Sequence, residues 1–197
     1  MARRRQVGGA AAPPTDGDSS GHPDEDRLDP EPDPESVART ICLRLLTMRS
    51  RSRAELSEAL RTRNVPDDAS ERVLGRLAAV GLVDDHAYAV NFVQAKRSER
   101  GFAARELSRQ LRGKGIDDEI IMAAISELDD NAEHATARRL AERKVKGMSG
   151  LEPNVQIRRL AGMLARKGYP PGICFQVVRE VVGAAAADQL GDDLSVL

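Results

Sequence analysis

Seven cationic side chains fall within nineteen residues near the middle of this 197-residue chain. They are Lys96, Arg97, Arg100, Arg105, Arg109, Arg112 and Lys114, interrupted by the acids Glu99 and Glu106 alone. The chemistry such a group can do is recognition of an anion, phosphate or carboxylate. Arginine, which dominates here, suits either through its bidentate fork. Arg105, Arg109 and Arg112 are spaced i, i+4, i+7, so on a helix they share one face, offset from Leu107 and Leu111. Smaller basic groups stand at Arg49, Arg51 and Arg53, at Arg138, Arg139, Arg143 and Lys144, and at Arg158 and Arg159. These seven central residues are the candidate partner-binding residues.

Catalysis finds little support. The three histidines, His22, His86 and His134, are scattered, and no HxxxH, CxxC or paired-carboxylate spacing offers a metal site. Asp84-Asp85-His86 reads as a helix start with an exposed histidine rather than as ligands. No GxxxxGK(S/T) phosphate loop occurs. The chain is therefore expected to be no enzyme, and to call for no metal or cofactor.

The elements that must position the basic side chains repeat. Leu56 and Leu60 precede Asn64-Val65, Leu107 and Leu111 precede Gly115-Ile116, and Leu160 and Leu164 precede Gly168-Tyr169, at intervals of 51 and 53 residues. A leucine pair at i, i+4, a residue tolerant of the left-handed conformation and then an apolar residue describe a helix and its stop. Recurrence at that period marks tandem units, each needing a neighbour to cover its apolar face.

Each unit reads as three helices. In the first, Val37, Ile41, Leu45 and Met48 form a helical stripe, and Ser52 with Glu55 forms a capping box for the Leu56/Leu60 helix. Asn64 ends that helix, and Pro66-Asp67 opens a third with Ala69, Val73, Leu74 and Leu77 inward, ending at Gly81. In the second unit Asp84 or Asp85 caps a helix bearing Tyr88, Phe92 and Ala95. The Leu107/Leu111 helix follows, then one with Ile120, Ile121, Ala124, Ile125 and Leu128. In the third, Ala137, Leu140, Ala141 and Val145 precede a break at Gly147–Gly150. A helix with Ile157, Leu160 and Leu164 follows, then one opened by Pro170-Pro171 that carries Ile173, Cys174, Val177, Val178 and Val181. The predicted fold is all-α, with three tandem three-helix repeats at 35–83, 84–129 and 130–183 in an elongated, curved arrangement.

The ends are expected to stay outside that body. Residues 1–34 hold six of the ten prolines, four glycines and eight acids against four arginines, which predicts a disordered acidic tail; residues 184–197 predict a frayed acidic one. The net charge of −1 thus hides a body, 35–183, with 26 basic and 20 acidic residues. No apolar run approaches a membrane span or a secretory signal. Cys42 and Cys174 each sit on an apolar helix face and read as reduced core residues. A cytoplasmic location is expected.

The stretch Gly81-Leu-Val-Asp-Asp-His-Ala-Tyr-Ala-Val-Asn-Phe, then Lys96-Arg97-Ser-Glu-Arg100-Gly101-Phe102, then Leu107 and Leu111 to Lys114-Gly115-Ile116, closely resembles the central signature of the RecX family. These are bacterial regulators of the RecA recombinase. The resemblance covers about 36–182 and is most specific in the middle repeat. Departures are Val83, His86 where arginine is usual, and Ala103-Ala104 where Gly-Pro is common. The resemblance implies a non-enzymatic modulator, a monomer, that binds the recombinase protomer or its filament on DNA. Such a protein restrains ATP hydrolysis, strand exchange and co-protease activity, with at most weak contact to the DNA backbone. Arg105, Arg109 and Arg112 are the expected electrostatic contacts. Two other readings stay open: a direct DNA-binding helical module, and an adaptor for another acidic protein.

Overall fold

The computed structural model describes residues 33–126 and 130–183. Among them lie the helices α1 (Pro34–Met48), α2 (Arg53–Arg61), α3 (Asp67–Ala79), α4 (Asp85–Arg100), α5 (Ala104–Arg112), α6 (Asp118–Ser126), α7 (Asp130–Lys146), α8 (Pro153–Arg166) and α9 (Pro171–Val182), and no strand. In each triplet the first and third helices pack most closely, as α1 with α3, α4 with α6 and α7 with α9. Three cores result, one per triplet. The predicted tail segments and Leu128 lie outside the described residues, except Asp33 and Pro34. Asp33 and Pro34 belong to α1: the Asp33 carboxylate accepts from the Glu35 and Ser36 amides, and Pro34 takes the first helical position, where no N–H is needed.

The leucine pairs do what their spacing requires. Leu56, Leu60, Leu107, Leu111, Leu160 and Leu164 are all fully buried, each stabilising its unit by about 1.5–3 kcal/mol. The helix stop is the same three times. Asn64, Gly115 and Gly168 adopt φ of 57°, 71° and 89°, and the next amide donates to the second leucine. These bonds run from Val65, Ile116 and Tyr169 to Leu60, Leu111 and Leu164, each at 3.2 Å. Val65, Ile116 and Tyr169 are buried behind them.

Two helical stripes are turned from their predicted positions. In α1 the fully buried residues are Ala38 and Cys42, with Val37, Ile41 and Leu45 at the flanks, and Met48 is 74 % exposed. In α4 Tyr88, Ala89 and Val93 are buried and Ala95 is exposed. Met48 and Ala95 lie about 90° from these inner faces at 3.6 residues per turn. Cys42 and Cys174 are free thiols in different cores. Burial raises both thiol pKa values, Cys174 to about 11.

Candidate functional site

The seven central cations separate into three groups. On α5 the side chains of Arg105, Arg109 and Arg112 are exposed along one face. Arg109 pairs with Glu106 at 2.6 Å one turn back, and Arg112 with Asp118 at 2.7 Å. Both arginine side chains remain mostly exposed, at 73 % and 58 %, so these pairs are weak and leave the guanidinium forks open to a partner. At the end of α4, Arg97 is half-buried and Arg100 exposed. Lys96 and Lys114 flank the Phe92 ring at 5.8 and 5.9 Å, and Phe92 stacks on the buried Tyr88.

Lys114 belongs to a joint between the first two triplets. Its ammonium meets Glu55 at 2.9 Å, and its carbonyl accepts from the Ser52 hydroxyl at 2.7 Å. Glu55 also holds Arg49 at 3.1 Å and accepts from the Ser52 amide, completing the predicted capping box. Burial pushes the Glu55 pKa up, but its bonds to Arg49, Lys114 and Ser52 outweigh this and hold it at about 2. Behind the lysine, Gly115 lies so close to α2 that a Cβ there would overlap that of Ala54. Asp85, from the first turn of α4, accepts the Arg53 amide at 2.9 Å. An acid of the second triplet thus caps a helix of the first.

The same joint recurs one triplet on. Glu133 of α7 accepts the Ala104 amide at 2.8 Å, as Asp85 does that of Arg53. The Lys167 carbonyl accepts from the Ala103 amide at 2.9 Å. A Cβ on Gly168 would stand 2.6 Å from Glu106 Cβ and 2.7 Å from its amide nitrogen. Lys167 lies over Phe102 at 5.1 Å and donates to the Arg100 carbonyl. Tyr169 donates to the Gly101 carbonyl at 3.0 Å, and burial pushes its hydroxyl to about 12. Glu106, at the place of Glu55, instead turns to Arg109 and Gln110. Among the described residues Lys167 therefore meets no carboxylate, and burial, with Arg100 and Arg143 nearby, lowers its pKa.

In the third triplet the corresponding docking point is closed. Counting back from the shared leucines, Ile157 stands where Arg53 and Ala104 do, but α8 begins a turn earlier at Pro153. The Ile157 amide therefore lies inside the helical ladder, and Pro153 has no N–H to offer.

Sequence reasoning missed Asp85 and Glu133 as caps acting across the joints. The available signal was the Lys-Gly doublet, which recurs at 114–115 and 167–168. Asp84 does cap α4, accepting from the Ala87 amide, and His86 is exposed. His134 faces Glu180 at 3.4 Å. Among the described residues there is no group of three or more His, Cys, Asp or Glu placed to share a metal, and no helix long and apolar enough to cross a membrane.

Family models match each triplet in turn: "RecX, first three-helix domain" at residues 38–77, the second at 84–125 and the third at 131–178. The chain is 44 % identical to the regulatory protein RecX of Streptomyces coelicolor over 180 residues, 90 % of this chain and 96 % of that one. It is 44 % identical to the protein of the same name from Thermobifida fusca, over 77 % of this chain and 82 % of that one. Among solved structures, RecX from Lactobacillus salivarius superposes with a TM-score of 0.67 at 22 % identity, over 75 % of this chain and 96 % of the other.

Proposed function

This chain belongs to the RecX family of regulatory proteins, and on that premise we propose that it binds the RecA recombinase in the cytoplasm. It holds the filament on DNA more tightly than the free protomer. By doing so it restrains ATP hydrolysis, strand exchange and co-protease activity in DNA repair and the SOS response. It acts as a monomer and by binding, with no reaction of its own.

The exposed arginine face of α5 is the observation that carries this reading. Arg105, Arg109 and Arg112 project from the middle triplet, and the flanking triplets are attached through two equivalent joints. Units held in a repeated relation can engage successive protomers of a helical polymer, and each added contact multiplies affinity through effective concentration. Arg105→Glu, Arg109→Glu and Arg112→Glu made together test it. Helicity and melting should change little, since the two ion pairs lost are exposed and worth about 0.3–0.5 kcal/mol each. Inhibition of recombinase ATP hydrolysis should weaken at least tenfold, and inhibition by the parent should fade with added salt. A folded triple variant that inhibits as well as the parent refutes the assignment. Equal sedimentation of the parent chain with filament and with protomer refutes the filament preference.

A further inference from the structure

We propose that Lys167 is an acylation site, whose ε-amine takes an acyl group from an acyl phosphate. The chain has five lysines, Lys96, Lys114, Lys144, Lys146 and Lys167, and the second joint sets the last of them among cations. Its side-chain nitrogen lies over the Phe102 ring at 5.1 Å and donates to the Arg100 carbonyl. The guanidiniums of Arg100, from α4, and Arg143, from α7, stand near the same nitrogen. Among the described residues no carboxylate pairs with it. Glu106 is turned to Arg109 and Gln110, and Glu133 accepts the Ala104 amide.

Lys114 is the internal contrast. It holds the same place in the first joint, also half-buried and also over a ring, that of Phe92 at 5.9 Å. Burial pulls its pKa down, but the hydrogen bond to Glu55 outweighs this and raises it above the ordinary lysine value. The same burial acts on Lys167, where Arg100 and Arg143 add to it rather than oppose it, and the pKa falls. A protonated amine has no lone pair to give. Desolvation and cationic neighbours are the means by which a protein frees one.

The donor follows from the same neighbours. The amine lone pair adds to the acyl carbon, and the bond from that carbon to the bridging oxygen breaks. Inorganic phosphate leaves with the electron pair, and the nitrogen sheds one proton to water. An acyl phosphate is a small anion, so the two guanidiniums draw its phosphate to the lysine. They also stabilise the charge that the leaving phosphate gathers. The product is a neutral amide, which removes one of three neighbouring cations and relieves their repulsion. It keeps one N–H for the Arg100 carbonyl. The joint does not hang on the lost charge: the Ala103 amide donates to the Lys167 carbonyl, the Ala104 amide to Glu133 and the Tyr169 hydroxyl to the Gly101 carbonyl. Acylation thus changes the charge between the second and third triplets and leaves those bonds in place.

The test needs no recombinase. The full chain is incubated with acetyl phosphate at neutral pH and cleaved with a glutamate-specific protease, and acetylation of each lysine is followed over time by mass spectrometry. Lys167 should react at least about fivefold faster than Lys114 and be the first of the five lysines to fill. Arg100→Gln with Arg143→Gln should slow Lys167 about threefold or more and leave the rate at Lys114 unchanged, with circular dichroism showing the variant folded. Should that pair unfold, Arg143→Gln alone, on an exposed position, must show the loss. An uncharged donor, p-nitrophenyl acetate, should favour Lys167 by a smaller factor in the parent. Another lysine reacting as fast as Lys167, an undiminished Lys167 rate in the folded variant, or the same preference with the uncharged donor would each overturn the proposal.

Discussion

Replacing Gly115 by alanine probes how the first two triplets are joined. The backbone there is left-handed, and an L-residue at such a φ costs about 1–2 kcal/mol. The added methyl also overlaps the Ala54 Cβ across the joint, and overpacking of this kind costs typically 1–3 kcal/mol. Gly115→Ala should therefore lose about 2–5 kcal/mol in urea unfolding followed by helical circular dichroism. Ala54→Gly alone should cost only about 0.5–1 kcal/mol, the ordinary penalty for glycine in a helix. Combined, the two changes remove the overlap and leave the strain, so the double variant should be no less stable than Gly115→Ala alone. That is a coupling of about 1–3 kcal/mol. Asn64 supplies the internal comparison: it has the same conformation, φ 57°, but no preceding triplet among the described residues, and it carries a side chain. If the two costs add without coupling, close approach to Ala54 is not what fixes glycine at 115.

Leu111→Asp should unfold or loosen the middle triplet, since an unpaired charge replaces a fully buried leucine at a cost of several kcal/mol; native-like helicity and cooperative melting would contradict the packing. Acid should weaken the first joint. The folded Glu55 pKa lies below its ordinary 4.5, at about 2, so the stability it adds is full above about 4.5 and is lost as pH falls from there towards 2. That difference corresponds to about 3 kcal/mol. Glu55→Gln should cost up to this amount at pH 7 and show a shallower stability loss between pH 5 and 2; an unchanged slope would mean that Glu55 is not the titrating group.

The three-helix plan was legible because its signals are local. A leucine pair, a residue able to turn left-handed and a buried apolar residue sit within ten positions, and the capping box of Ser52 and Glu55 within four. The inner faces of α1 and α4 were less legible. Packing selects the small Ala38, Cys42 and Ala89, whereas a pattern search follows large side chains such as Met48. The joints were invisible for a different reason. Asp85 caps an amide 32 residues earlier and Lys114 finds a carboxylate 59 residues earlier, and nothing local marks those pairs. Lys114, grouped in sequence with the exposed arginines, stands in the structure half-buried between triplets.

The joints also give the array a direction. Each uses the open start of one triplet's middle helix and the Lys-Gly end of the next, so a unit can be added only where both halves exist. Pro153 and the extra turn of α8 remove the receiving half after the third triplet. At the other extremity Arg63-Asn64 retains the shape of the donating half, though with a side chain where the later units have none. Lengthening by duplication would therefore succeed more readily ahead of α1 than behind α9. Among the described residues, a copy docking behind the third triplet would find the receiving half closed by Pro153.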